Sequence, residues 1–158
     1  MEISIQLNSG STELPKEGWH HATLVDVKGW QQWEDNEGQK IKDDKVDLYE
    51  GEKKLRDKLQ FHFETEQVGE DGMRLRVKAK PVNQTLNPKS NLRKMIDDID
   101  DTIIPKMIKE KIPFTPELIL GRAAKIKVFH QESNGSVYAN IKSIMEVEKP
   151  DEDDAPPY

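Results

Sequence analysis

The sequence predicts a mostly β domain, a five-stranded barrel with one helix, followed by a short acidic tail. Three observations predict it. Apolar and polar residues alternate with a period of two along several segments, turn-forming residues separate these segments, and one segment has helical spacing instead. The 158 residues suit one domain, which we place at residues 1–149, with the tail at 150–158.

The first strand is predicted by the apolar run at residues 18–27. Residues 28–58 are highly charged and contain few aliphatic side chains, so we expect a long charged loop between strands 1 and 2. This segment carries Trp30 and Trp33. One interpretation is a flexible loop that offers indole rings to a ligand, with Trp30 as the candidate. The other is that both rings pack on the outside of the barrel, which we favour for Trp33.

Strands 2 and 3 are predicted to form a hairpin. In residues 59–66 and again in residues 74–80, the odd-numbered side chains are largely apolar and the even-numbered ones are polar or charged. Gly-Glu-Asp-Gly at residues 69–72 supplies the turn between them. One face of this hairpin is therefore expected to be buried.

A helix follows the hairpin. Ser90 or Asn91 is the expected N-cap, and Leu92, Met95, Ile96 and Ile99 share one helical face. Prolines at positions 105 and 113 are expected to interrupt the segment after it.

Strands 4 and 5 are predicted at residues 123–130 and 137–145, joined by the hairpin signal Asn134-Gly135. Five strands with a helix between strands 3 and 4 is the order of an OB-fold barrel. Periodicity alone does not establish that the barrel closes.

The strongest functional signal is the row of cations on the even-numbered positions of strand 3. Alternate residues of a strand lie about 6.6–6.8 Å apart, close to the phosphate spacing of an extended single strand. Cations that follow a phosphate backbone and aromatic rings that stack on bases together suit single-stranded nucleic acid. The predicted nucleic-acid-binding residues are Arg74, Arg76, Lys78, Lys80, Lys125, Lys127, Phe129, Tyr138, Lys142 and Trp30. The alternative is an ordinary solvated face whose cations pair with Glu64 and Glu66 across the strands.

Several classes of protein are disfavoured. The chain has no cysteine, which excludes disulfide scaffolds and thiol chemistry. Adjacent His20 and His21 on a strand point to opposite faces and cannot both ligate one metal ion. No nucleophile with an orienting partner and no nucleotide-binding loop is present, so we expect no enzyme activity, no cofactor and no metal. No apolar run is long enough to cross a membrane and the N-terminus is unlike a signal peptide, so we expect a cytoplasmic protein.

The tail is the second strong feature. Asp151, Glu152, Asp153 and Asp154 precede Ala-Pro-Pro and the terminal Tyr158, and this composition predicts a disordered segment. An aromatic residue and a carboxylate at the chain end suit capture by a basic pocket on a partner protein. Removing these four negative charges from the formal total of −6 leaves −2 on residues 1–149. The overall acidity therefore does not argue against nucleic acid.

The order of several short motifs resembles a known family. The motifs are Pro-Lys-Glu-Gly at residues 15–18, Phe-His-Phe-Glu at 61–64, Lys-Ser-Asn-Leu-Arg-Lys at 89–94, and the run from Leu-Gly-Arg-Ala at 120–123 to Tyr-Ala-Asn-Ile at 138–141. In this order they are similar to the OB-fold single-stranded DNA-binding proteins of bacteriophages, over residues 13–147 plus the tail. The chain departs from that family in ending Pro-Pro-Tyr where Phe is usual, and in the length of residues 28–58.

The resemblance implies an accessory protein of DNA replication, recombination or repair in the cytoplasm of a bacterial host cell. Such a protein coats single-stranded DNA without strong sequence preference, and its tail recruits replication or recombination proteins. Near the helix start, Lys89 and Arg93 or Lys94 extend the predicted phosphate path. The oligomeric state stays open, a homo-oligomer included. Two alternatives remain: an OB-domain adaptor that binds proteins and no nucleic acid, and, ranked last, a metal-dependent nuclease.

Overall fold

The computed structural model describes residues 13–147, and its sheet is built from antiparallel hairpins. The strands are β1 (Gly18–Asp35), β2 (Lys53–Val68), β3 (Arg74–Lys78), β4 (Val82–Asn83), β5 (Ala123–Ser133) and β6 (Ser136–Met145). The helices are α1 (Asn91–Ile99) and α2 (Ile103–Glu110), with short 3₁₀ segments at Asp43–Leu48 and Pro116–Leu118.

The strands form one twisted sheet in the order β3-β2-β1-β5-β6, and β4 adds a short pairing to β2. Every neighbouring pair is antiparallel. The two ends of this path, β3 and β6, approach within 8 Å between Cα atoms. The sheet is therefore a nearly closed barrel, and the mostly β architecture with few helices is consistent with an OB-like barrel.

Period-two alternation directs one face of the sheet into the barrel. Leu24, Phe61, Phe63 and Ile126 are fully buried there. The apolar faces of both helices join the same core through Leu92, Ile96, Ile99, Ile103, Ile104 and Met107. The opposite, outer face of the sheet is thus left to polar and charged side chains.

The prediction of a long loop between strands 1 and 2 is wrong for much of residues 28–58. β1 continues to Asp35, and β2 begins at Lys53, so that the two strands pair along residues 29–35 and 53–59. We call this two-stranded extension the arm. Only residues 36–52 connect its strands. Apart from Trp30, Trp33 and Leu55, its side chains are mostly polar on both faces, so hydrophobic alternation could not identify it.

The region after strand 3 also differs from the prediction. β3 ends at Lys78, and after Pro81 the chain pairs with β2 again as β4. Pro105 does not prevent a helix, because it lies in the first turn of α2, where backbone N–H groups have no intrahelical partner. The predicted hairpin turn between β5 and β6 is confirmed: Asn134 and Gly135 both have positive φ angles, of 53° and 79°, as a type I′ turn requires.

Candidate nucleic-acid interface

The outer faces of β1, β2 and β3 align side chains in cross-strand rows. One row joins Asp26, His62 and Lys78, and the row beside it toward the turn between β2 and β3 joins Glu64 to Arg76. On the arm side, Trp30 lies opposite Lys58, which in turn lies opposite Asn83 of β4. We call this surface the β1–β3 face. A β-bulge between Leu24 and Asp26 sets the register of its β1 residues.

The cations of this face are only partly neutralised. Arg76 forms an ion pair with Glu64 at 3.4 Å between Nη2 and Oε2, and Lys28 forms one with Asp26 at 3.5 Å. The predicted solvated-face alternative, with cross-strand pairing, therefore holds for Arg76. Within residues 13–147, Arg74, Lys78 and Lys80 are exposed and form no ion pair.

His62 lies at the centre of the face. Its Nε2 atom is buried and finds no hydrogen-bond partner among the described residues. Burial lowers the pKa of His62, and the positive charge of Lys78 lowers it further; Asp26 acts in the opposite direction. The imidazole is therefore neutral at neutral pH, and an anion that neutralises Lys78 would raise the pKa of His62.

A hydrogen-bonded chain orients Trp30 on the same face of the arm. The Trp30 Nε1–H donates to Gln32 Oε1 at 3.0 Å, and Gln32 Nε2 donates to Glu34 Oε2 at 2.8 Å. Lys58 Nζ lies 2.8 Å from the same Glu34 oxygen, and Arg56 Nε lies 3.9 Å from Oε1. These contacts give the Trp30 ring a defined position beside Lys58.

Glu34 is the buried end of this chain, with 4% of the residue exposed. Burial raises the pKa of its carboxyl, but hydrogen bonds from Lys58 and Gln32 and the charges of Lys58 and Arg56 outweigh that effect and lower the pKa overall. The carboxylate is therefore ionised at neutral pH and holds Lys58 in place.

Trp33 lies on the opposite face of the arm. Lys53 Nζ lies 5.6 Å from the centroid of its ring. The connection 36–52 folds back along it: the Ile41 N–H donates to the Trp33 carbonyl at 2.8 Å, and Ile41 and Val46 are buried. This placement agrees with the packing role predicted for Trp33 and separates it from Trp30.

Of the predicted residues on strands 4 and 5, Lys125, Lys127, Phe129 and Tyr138 do not join the cations of β3 in one groove. In the sheet, β1 and β2 separate β5 from β3, and Glu64 and Glu66 lie on the intervening β2. Phe129 lies opposite Asn140, and Tyr138, half exposed, lies opposite Gln131 near the hairpin tip. The predicted aromatics are thus displaced from the β1–β3 face.

Lys125 and Lys127 were expected to be exposed cations on the outer face, but both are at least partly buried. Lys125 is 6% exposed, so it offers no free cation to a ligand. Lys127 is half-buried, and its Nζ lies 5.7 Å from the centroid of the Trp19 ring. The alternation of apolar and polar residues along the strand predicted that both side chains lie on the outer face. It does not predict which side chains of neighbouring strands pack over them.

Lys80 and Lys142 come together at the other side of β3. Both border a pocket of 410 Å³ between the end of β3, α1 and β6. Lys142 lies where the register between β5 and β6 shifts, between Lys127 opposite Ser143 and Val128 opposite Ile141. The two lysines therefore border one cavity, although they belong to different segments of the chain; that they bind one ligand stays a prediction.

Sequence reasoning missed Lys28, Arg56 and Lys58 as members of the β1–β3 face. Residues 54, 56 and 58 are basic and alternate with Leu55 and Asp57, in phase with the buried odd positions from Leu59 onward. Extending the period-two pattern backward from Leu59 would have found Arg56 and Lys58, but not Lys28, which lies on β1. The tail residues Asp151, Glu152, Asp153, Asp154 and Tyr158 lie outside the described residues.

Within residues 13–147, no group of three or more His, Asp or Glu side chains could hold a metal ion. Neither α1 nor α2 has the length and apolar character needed to cross a membrane. His20 is buried and His21 exposed, as predicted for neighbours on a strand.

No family model matches this chain, and no curated protein is significantly similar to it.

Proposed function

We propose that the chain is a non-enzymatic protein that binds single-stranded DNA through an OB-fold barrel with little sequence preference. The single observation that carries the proposal is the β1–β3 face, on which Trp30 shares one surface with two lysines. Lys58 is held beside the ring by Glu34, and Lys78 is exposed and forms no ion pair within residues 13–147. In OB folds, the outer face of strands 2 and 3 is the usual surface for oligonucleotides. The strand order β3-β2-β1-β5-β6, with β3 near β6, supports that fold.

The chemistry of the face suits a single strand. Lys78 and the cations beside it at two-residue spacing neutralise successive phosphates and release counterions. The Trp30 ring offers a stacking surface that is worth about 1–3 kcal/mol per base and accepts every base. A duplex hides its base faces, so a stacking surface favours the single strand.

The wider role follows from the same proposal and from the resemblance to bacteriophage single-strand binders. Residues 1–149 bind the DNA, and the acidic tail at 150–158 recruits replication or recombination proteins. The protein then acts in DNA replication, recombination or repair in the cytoplasm of a bacterial host.

An adaptor that binds only proteins is the second candidate. It is favoured by Leu48 and Leu55 near and on the arm, which leave 75% and 46% of their surface exposed. Exposed apolar side chains of this size often mark protein contacts when they form a contiguous patch. An adaptor would leave the cations of the β1–β3 face without a role.

Binding of labelled oligo-dT at several salt concentrations tests the proposal. We expect affinity to fall steeply with salt, and Lys78→Ala to lower the slope of log K against log salt by about 0.7, the value of one single-strand phosphate contact. Lys109→Ala on α2, an exposed lysine away from the face, is the matched control and should leave the slope unchanged.

The adaptor alternative predicts a different outcome. If oligo-dT does not bind at ~50 mM salt, where electrostatic binding is strong, the proposed function is wrong. If it binds with no dependence on salt, the role assigned to the cations is wrong.

A further inference from the structure

A pocket lies beside α1, and apart from Lys80 its residues are separate from the β1–β3 face described above. It lies at the seam where β3 and β6 approach without forming a hydrogen-bonded ladder among the described residues. The pairing of β3 with β2 ends at Lys78, before Pro81, and Lys142 lies at the register shift between β5 and β6. The cavity at this seam has a volume of 410 Å³, within the ~300–1,000 Å³ typical of small-ligand sites.

The rim of this pocket is cationic. Lys80 just after β3, Lys94 of α1 and Lys142 of β6 border it, and among residues 13–147 Asp98 is the one acidic side chain of its lining. The three lysines are exposed, and within residues 13–147 none of them forms an ion pair. The rim therefore carries a formal charge of +2.

The floor of the pocket is apolar. Ala79 and Val82 are buried, and Met95, Ile141 and Ile144 are partly buried. Met95 is an unbranched, polarisable side chain that adapts its shape and makes favourable contacts with aromatic rings. An aromatic ring with an attached anion fits this combination of floor and rim.

Lys80 connects the pocket to the β1–β3 face. It continues the two-residue repeat of Arg74, Arg76 and Lys78, and it also borders the pocket. A phosphate chain that follows β3 is therefore led to the pocket mouth. This continuity favours a nucleic acid over an acidic peptide as the occupant.

We propose that the pocket between β3, α1 and β6 binds one nucleotide of the single strand, with the base on the apolar floor at Met95 and its phosphate between Lys80, Lys94 and Lys142. The proposal rests on the proposed function, because the strand must first lie along β3. It adds a base site in a surface pocket to the stacking surface at Trp30.

Oligo-dT carrying one 2-aminopurine, moved through successive positions, tests this inference in the full chain. We expect one position to change its fluorescence on binding as the base leaves its stacked neighbours. Lys94→Glu should abolish that change and lower the salt slope by about 0.7. Lys109→Glu, an equal charge reversal on α2, should preserve both. Circular dichroism checks that the variants fold; Lys94 is exposed on α1 and its substitution removes no core contact.

The outcomes separate this inference from the proposed function. If Lys94→Glu and Lys142→Glu bind oligo-dT like the wild type while Lys78→Glu does not, the pocket proposal is wrong and the β1–β3 face stands. If Lys94→Glu affects only binding of a synthetic acidic peptide, such as residues 150–158, the pocket is a protein site and the proposal is also wrong. If the wild type binds no oligonucleotide, both proposals fail.

Discussion

His62 shows how a single residue can report on the β1–β3 face. It lies in register between Asp26 and Lys78, and its Nε2 atom is buried without a partner among the described residues. Burial and the charge of Lys78 keep the pKa of His62 low. Protonation of this ring therefore costs more free energy than in water, and the cost depends on the charges beside it.

We predict that Lys78→Gln raises the pKa of His62, because it removes the largest repulsive charge on the imidazole. The pKa of His62 should also rise when oligo-dT binds, because phosphates neutralise the charge of Lys78. An NMR pH titration of the His62 ring protons measures both shifts, with Lys109→Gln as the control. A pKa of His62 that is unchanged in Lys78→Gln would contradict the electrostatic description of the face.

Individual residues also mark the limit of prediction from sequence. Alternation places Lys78 and Lys125 on the outer face in the same way, but Lys78 is exposed and Lys125 is buried. The difference arises from neighbours on other strands, which a period along one strand does not contain. Likewise, the partner of a given cation, such as Glu64 for Arg76, follows from register.

The arm is the element that the sequence identified least well. Period-two hydrophobicity locates strands that bury one face, and the barrel parts of β1, β2, β5 and β6 have that pattern. The arm buries little on either face, and its pairing depends on polar contacts such as those of Glu34. Because residues 28–58 are highly charged, they were expected to form a loop, but much of this segment forms the two-stranded arm.

We predict that Glu34→Gln destabilises the arm, because it leaves Lys58 and Arg56 without their carboxylate. A hydrogen bond to a charged group contributes about 1.5–3 kcal/mol, so the free energy of unfolding should fall by roughly this amount at pH 7. The folded-state pKa of Glu34 is lowered, so its stabilisation is present above the unfolded pKa and lost as pH falls through the folded pKa. Urea denaturation of both proteins at pH 7 and at lower pH measures this.

The two proteins should converge at low pH, since protonated Glu34 resembles Gln. A difference between Glu34→Gln and the wild type that stays constant below the pKa of Glu34 would show that the network does not depend on its charge. Gln39→Glu, on the exposed connection, provides a control in which a charge changes away from the network.

At the scale of the whole molecule, the position of charge matters more than its total. Residues 1–149 carry a formal charge of −2. Nevertheless, groups of cations lie together on the β1–β3 face and around the pocket at the β3–β6 seam. The sequence predicted the cationic strand 3 and the barrel class. It could not predict that two strands, β2 and β1, separate β5 from β3, because strand order is a property of the assembled sheet.

The most direct test of the account is fluorescence of a variant whose single tryptophan is Trp30, made by Trp19→Phe and Trp33→Phe. The matched variant keeps Trp33 alone, on the other face of the same arm. We predict that oligo-dT quenches Trp30 strongly at low salt, that added salt reverses the quenching, and that Trp33 changes little. No quenching of Trp30 at low salt, or equal quenching of both tryptophans, would contradict the assignment of the β1–β3 face as a site for single-stranded DNA.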